Sequence, residues 1–439
     1  MKFRILSGLF LLSIISVQAQ EKRWTLRECV YYALEHNISV QQSELDLESI
    51  KLDKSDAIGN LLPNLNASAS YSASTGLSQD PTTGILVNQT FNSLSGGITS
   101  SVGLFDGLRN YKQVKRAEVS ALAAQYQLDG MKDDISLMVA NNYLQILSNK
   151  ETLKTLQAQY RVSQQDYQRT EQLVENGVLP KGDLLEIEAT VATQEQQIVN
   201  AENNVLISRI ALAQLLQISD YENFDVVDEG YMIPESDILN HSADEIYAKS
   251  LNVMNSVKSA EVNVEIAELD VKIAQGARYP TLGGYFNYNT RYNDQNDLSF
   301  KDQLWFYDGI SYGLQLSVPI FNGNSVRNNI RRSRINLEKT QLSYEQSKLD
   351  LESNVNQAYV DVKGSLKSYQ AANKTVEARR LSYEYAKERY NVGLMNSFDF
   401  SQAQARMDDA EAELIRTKYD YIFRLKVLEF YFGIPLDEL

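Results

Sequence analysis

Two periodicities alternate along this chain. Leu351, Val355, Ala358, Val362, Tyr369, Ala372, Val376, Tyr383, Ala386 and Tyr390 recur at steps of three and four, with Ser365 and Arg379 as polar exceptions. Val114, Ala117, Ala121, Ala124, Leu128, Met131, Ile135 and Met138 fall on the same grid. A 3.5-residue period is the seam of helices that coil against neighbours, and the many alanines imply close approach. The pattern predicts helices from about Leu108 to Glu175 and from Ser325 to Asn391, each roughly 100 Å long. Leu184, Ile187, Val191, Ile198, Ala201 and Val205 carry the grid into a helix over 184–217, and a counterpart is predicted over 399–432. Two shorter helices, Trp24–His36 and Ile38–Ile58, precede the first long one.

Between these stretches the period drops to two, which means strands. Strand pairs are predicted over about 66–105 and about 282–320. In the clearest segment, Ile310, Tyr312, Leu314, Leu316, Val318 and Ile320 alternate with Ser311, Gly313, Gln315 and Ser317. Each strand reads as about ten residues, the length of a tilted membrane-spanning strand. Polar loops, Thr75–Asn92 and Asn293–Asp308, join the pairs. Trp305, Phe306 and Tyr307 suit either a lipid–water boundary or the packing of their own loop.

Two tight turns punctuate the helices. In Glu175–Leu185 (ENGVLPKGDLL), Gly177 ends one helix and Gly182–Asp183 restart the next. In Tyr390–Phe400 (YNVGLMNSFDF), Gly393 ends a helix, Asn396 or Ser397 caps its successor, and Asp399 falls in the first turn. Gly177 and Gly393 are 216 positions apart, as are Asp183 and Asp399, and Pro63 and Pro280 are 217 apart. A spacing that long indicates duplication. The expected plan is a first repeat over 20–218, a linker over 219–243, a second repeat over 244–432 and a tail over 433–439. The 38–58 and 184–217 helices, stacked end to end, nearly match one long helix. The linker, the tail and the first helix suit a belt around the struts.

Composition narrows the function. The chain has 439 residues and a net charge of −15, which argues against nucleic acid as a partner. Its single cysteine, Cys29, excludes a disulfide framework and a multi-cysteine metal site. Lys2 and Arg4, an apolar run and Val17-Gln18-Ala19 read as an export signal over 1–19. The two histidines, His36 and His241, lie in different contexts, and no nucleophile, phosphate-loop or metal motif occurs. No enzyme, cofactor or metal is expected.

Four amphipathic strands cannot close a barrel, and an open sheet edge is not tolerated in lipid. Either several copies close one barrel together or the strands lie outside a membrane. Three copies would give twelve strands, wide enough for a lumen.

With its order of elements, its duplication, the first helix TLRECVYYAL and the YNVGLMNSFDF turn, the chain resembles the TolC-like outer-membrane efflux proteins over its whole mature length. The resemblance implies a mainly α protein with transmembrane β-strands, trimerising into a 12-stranded β-barrel continued by a periplasmic α-barrel. It implies residence in the outer membrane of a Gram-negative bacterium and docking of the helical tips to a periplasmic adaptor and, through it, an inner-membrane transporter. The family's gate acids correspond here to Asp399 and then Gln402, with Asp183 and Glu186 at the equivalent places of the first repeat. The same acids also suit helix N-termini through the dipole alone. Gly177, Val178, Leu179, Val392, Gly393, Leu394 and Met395 are the expected adaptor contacts. An exported trimeric coiled-coil structural or adhesive protein, and a periplasmic adaptor, are the alternative functions.

Overall fold

The computed structural model describes residues 23–79, 84–227, 233 and 236–434, so the export signal and most of the C-terminal tail lie outside the described residues. The first half holds β1 (Arg23–Trp24), α1 (Leu26–His36), α2 (Ile38–Gly59), β2 (Asn64–Gln79), β3 (Leu86–Phe105), α3 (Arg109–Glu175) and α4 (Lys181–Leu215). After β4 (Asp225–Val226) and a 3-10 turn, Asp237–Asn240, come α5 (Ala243–Val253), α6 (Asn255–Gly276), β5 (Thr281–Asn293), α7 (Phe300–Phe306), β6 (Gly309–Ser317), α8 (Ser325–Asn391) and α9 (Ser397–Phe432). The fold is mainly α, with one four-stranded antiparallel sheet ordered β2-β3-β5-β6. No described helix is long and apolar enough to cross a membrane.

α5 and α6 were not anticipated from the sequence. They begin at 243 and 255, each 217 positions after α1 and α2. Contacts gather the chain into two compact units, each drawing on both halves: 41–132 with 244–355, and 1–40 with 133–243 and 356–439.

The first of these units carries the sheet. The β2–β3 ladder runs from Asn64↔Ser101 to Gln79↔Leu86, so most of the expected Thr75–Asn92 loop is strand. Cross-strand hydroxyl pairs hold it: Ser70–Ser95 and Ser72–Ser93 at 2.7 Å, and Thr75–Thr90 at 2.8 Å. Only the part beyond Thr75, rich in Thr, Gly, Asn and Gln, lacks the alternation that marks a strand. The expected Asn293–Asp308 loop contains α7, which Ser299 caps by accepting from the Asp302 amide. Gln303 on α7 is fully buried, accepting from the Asn293 amide at 2.8 Å and donating to the Leu298 carbonyl at 2.8 Å. β6 stops at Ser317, short of the expected Ile320, and leaves Val318, Ile320 and Phe321 exposed. Where β3 hands over to α3, Gly107 takes φ +73 and lies against the backbone of Gly276, where a Cβ would collide with the Gly276 carbonyl.

The second unit is built from helices. Thr25 and Glu28 form a capping box at the head of α1. β1 pairs in parallel with β4, and buried Tyr143 donates to the Val227 carbonyl at 3.0 Å. Asn37 joins α2 to the end of α4: its amide oxygen accepts from the Ser39 N–H, and its amide nitrogen donates to the Leu215 carbonyl, both at 2.9 Å. Along α8 the expected seam is buried at Ala358, Val362, Ala372, Val376 and Ala386, while Arg379 is exposed. Ser365 is buried on that seam and donates to the Val362 carbonyl. Val376 packs with Met407 and Ala410 of α9. On α3, Met138 leaves the expected seam and is exposed. Beyond it Val139, Ala140, Tyr143, Leu144, Ile146 and Leu147 are all buried, because the β1–β4 pair covers a second side of the helix there.

Candidate functional site

The two helical turns share one hydrogen-bond scheme. Val178 N–H donates to the Leu173 carbonyl at 2.8 Å, and Gly177 N–H to Val174 at 3.0 Å. Leu394 donates to Arg389 at 2.8 Å and Gly393 to Tyr390 at 3.0 Å. Each is a Schellman motif, and Gly177 (φ +73) and Gly393 (φ +75) occupy the left-handed position that favours glycine. The restarts differ. Asn396 caps α9, its side chain accepting from the Asp399 N–H at 2.8 Å. α4 starts at Lys181, ahead of the expected Gly182–Asp183. Pro180 stands at its cap with φ −71 and makes no side-chain cap bond; its fixed φ suits a helix entrance.

The turns expose apolar surface. Val178 is 64% exposed, Val392 67% and Leu394 70%, whereas Leu179 and Met395 are half-buried. Phe398, on the first turn of α9, is 58% exposed beside them. Sequence reasoning passed over it because only the turn itself was considered.

No hydrogen bond or ion pair joins the four polar gate candidates to one another among the described residues. Asp399 is exposed, and its carboxylate makes no ion pair among the described residues. Gln402 is exposed and accepts from the Arg406 guanidinium at 2.8 Å. Asp183 is half-buried and accepts from the Ser397 hydroxyl at 2.6 Å, tying the first turns of α4 and α9 together. Glu186, also half-buried, lies one turn further along α4.

Beyond the turns the helices meet through rings and polar side chains. Phe400, fully buried, stacks on Tyr390 at 4.7 Å and on Tyr383 at 5.8 Å. The Tyr390 hydroxyl lies 3.0 Å from that of Thr170 on α3. Gln404 donates to Ser163 at 2.6 Å, and Gln194 donates to Asp408 at 3.0 Å. Lys387 lies 3.9 Å from Asp166. Burial, with the charges of Glu411 and Asp409 nearby, pushes the Asp408 carboxyl up to about 7. Burial likewise raises the Asp166 carboxyl against the opposing pull of Lys387 and Arg169, and raises the Tyr383 and Tyr390 hydroxyls. Gln194 and Gln404 were missed from sequence because they are polar. Their signal was position: Gln194 stands seven residues from both Ile187 and Ala201 on the apolar grid.

Among the described residues no His, Cys, Asp or Glu cluster has metal-holding geometry. A hydrogen bond given up to water costs about 1 kcal/mol net, whereas opening a packed apolar contact exposes area at ~25 cal/mol per Å². Helices joined by Gln, Ser, Thr and Asp side chains therefore separate more readily than those joined by the Val376–Met407–Ala410 contact.

Residues 29–216 and 246–433 each match the sequence model of the family described as outer membrane efflux protein. The two matched stretches start 217 positions apart, the offset between α1–α2 and α5–α6. The chain is 24% identical over 381 residues to the outer membrane protein TolC of Vibrio cholerae, covering 84% of this chain and 81% of that protein. It is 21% identical over 445 residues to the alkaline protease secretion protein AprF of Pseudomonas aeruginosa, covering 99% and 89%. The fold superimposes on the Campylobacter jejuni CmeC outer membrane channel with a TM-score of 0.80 at 18% identity, covering 93% of this chain and 85% of that one.

Proposed function

Because this chain belongs to the outer membrane efflux protein family, we propose that it assembles as a homotrimer whose twelve strands span the outer membrane and whose long helices enclose a duct across the periplasm. The observation that carries this reading is the sheet order, β2-β3-β5-β6. It leaves β2 and β6 on the margins with one ladder each, and in lipid those margins need partners from sister chains. The exposed apolar stripe Ile335, Leu342 and Leu349 on α8 supports the same neighbours. The signal over 1–19 directs export. Cargo is a small molecule or a protein: AprF is named for protease secretion, and the comparison structure CmeC is an outer membrane channel.

The helical turns dock to a periplasmic adaptor through Val178, Leu179, Val392, Leu394 and Met395, with Gly177 and Gly393 shaping the turns. Asp399, whose carboxylate makes no ion pair among the described residues, contributes the narrowing charge of the duct, threefold in the trimer. Asp183 serves chiefly to hold the first turns of α4 and α9 together, with Glu186 beside it. Crosslinking of outer-membrane fractions, followed by conductance in planar bilayers, tests the reading. Trimers with a small, cation-blocked conductance are expected, and Asp399→Ala relieves the block. A water-soluble monomer without conductance rules the duct out; unaltered block in Asp399→Ala removes the gate assignment alone.

A further inference from the structure

The two long helices begin with charge of the unfavourable sign. A helix N-terminus attracts acids and repels cations. Neither α3 nor α8 has an acid in its first turn. α8 presents Arg327, Arg331, Arg332 and Arg334 before its first acid, Glu338, in a chain whose net charge is −15. α3 repeats the pattern with Arg109, Lys112, Lys115 and Arg116, but these are answered within the chain. Arg116 meets Asp270 at 2.6 Å, Lys115 lies 4.0 Å from Glu118, Lys112 donates to the Lys272 carbonyl, and Arg109 donates to the Asp106 carbonyl. The four arginines of α8 are exposed and form no ion pair among the described residues. Arg332 and Arg109 line an open groove of about 450 Å³ together with Gln113, Asn329 and Asn336. Its one acid, Asp270, is already held by Arg116.

Large apolar side chains stand exposed where the strands give way to these helices. Ile320 is 94% exposed and Phe321 84%, and Leu104, Leu108 and Tyr111 are exposed at the corresponding place of the first repeat. An apolar band followed within two turns by arginine is the arrangement that fits acyl chain and then phosphate. A free phosphate ion would use the arginines and leave Ile320 and Phe321 without purpose.

We propose that the start of α8, with the groove it shares with α3 and α6, is a binding surface for anionic phospholipid headgroups. Arg332, with Arg109 of α3, takes phosphate in the groove, Arg327, Arg331 and Arg334 take phosphates on the adjoining faces of the helix, and Ile320 and Phe321 take the neighbouring acyl chains. Guanidinium forks suit phosphate oxygens. The inference rests on the sheet being the membrane-spanning part. The bound lipid then fixes the depth at which the strands end.

The full-length protein is inserted into phosphatidylethanolamine vesicles with and without phosphatidylglycerol, extracted gently, and its retained lipids are identified by native mass spectrometry. Preferential retention of phosphatidylglycerol, weakening as salt rises, is expected. Replacing all four arginines by glutamine lowers that retention about tenfold or more. Replacing all four by lysine keeps most of it, because the Coulombic attraction survives. Equal retention by the glutamine variant, indifference to salt in the unaltered protein, or displacement of the lipid by millimolar inorganic phosphate each overturns the proposal. If the glutamine variant does not insert, the lysine variant and the salt series of the unaltered protein decide. Insertion without lipid preference sinks this inference alone, whereas failure to insert into either vesicle sinks the membrane-spanning reading with it.

Discussion

Gln217 ends α4 with φ +60, and Gly433 ends α9 in the same left-handed region with φ +90. Both close Schellman motifs, Ile218 N–H donating to the Ala213 carbonyl and Ile434 N–H to Glu429. A side chain in that region costs about 1–2 kcal/mol. Gln217→Gly is therefore expected to stabilise the chain by about 1 kcal/mol, read as a rise in the thermal midpoint. Asp408 works in the opposite sense. Its carboxyl is raised to about 7 in the folded chain, from an ordinary value near 3.8. Between those values the folded state holds a proton that the unfolded state has released, so stability falls as pH rises from about 4 to 7. Asp408→Asn removes this dependence: it stabilises at pH 8 by an amount on the order of 1–4 kcal/mol and changes little at pH 4. Thermal melts across that range check the slope, and a parallel pair of curves contradicts it. At this scale the sequence displayed the turn glycines, because only φ requires them. It concealed Gln194 and Gln404, because a polar residue on an apolar grid looks like an interruption until its partner on the facing helix is known, and Asp408, because beside Asp409 on a helix rich in Lys and Arg the pair reads as a solvated face, whereas Asp408 is buried against Gln194.

Among the elements, the long helices were the most legible, since a 3.5-residue period sustained over many turns admits no other structure. The limits of α8, Ser325 and Asn391, are set by features visible in the chain. Gly323 takes φ +59 just before it, and Gly393 lies just after. α5 and α6 went unread although their counterparts α1 and α2 were read: the second repeat was placed from 244, but the two helices that open the first were not carried into it. The β2–β3 hairpin was underestimated for a chemical reason. The apolar alternation of Ala67, Ala69, Tyr71 and Ala73 gives way from Thr75 to mostly polar residues, so there the register rests on paired hydroxyls and ladder bonds. The β3–α3 junction depends on two backbones in contact at Gly107 and Gly276. Gly107→Ala forces them apart and also strains a positive φ, so a loss of about 2–4 kcal/mol is expected, visible as poor yield of inserted protein. Gly182→Ala, a position with open space around it, is the matched control and should behave like the unaltered chain.

For the molecule as a whole, what the sequence conveyed was a deficiency: strands of membrane length in too small a number to close. The four-stranded sheet keeps that deficiency. A heat-sensitive trimer on unheated gels, collapsing to single chains on boiling, is the expected signature of its resolution between copies, and migration as a single chain before heating speaks against it. The sheet has one more property of consequence. The last rung joining β3 to β5 is Ser93↔Asn293, but β2 and β3 continue side by side to Gln79↔Leu86. At about 3.3 Å per residue this stretch adds roughly 20 Å of two-stranded ribbon beyond the rim that the other strands share. If the rim is the outer face of the cell, each subunit holds up a narrow mast that carries the Thr75–Thr90 hydroxyl pair and the exposed side chains of Leu77 and Leu86. A bulky visitor from the medium, such as an antibody or a protease, would meet that mast before it reached the lipid or the mouth of the duct.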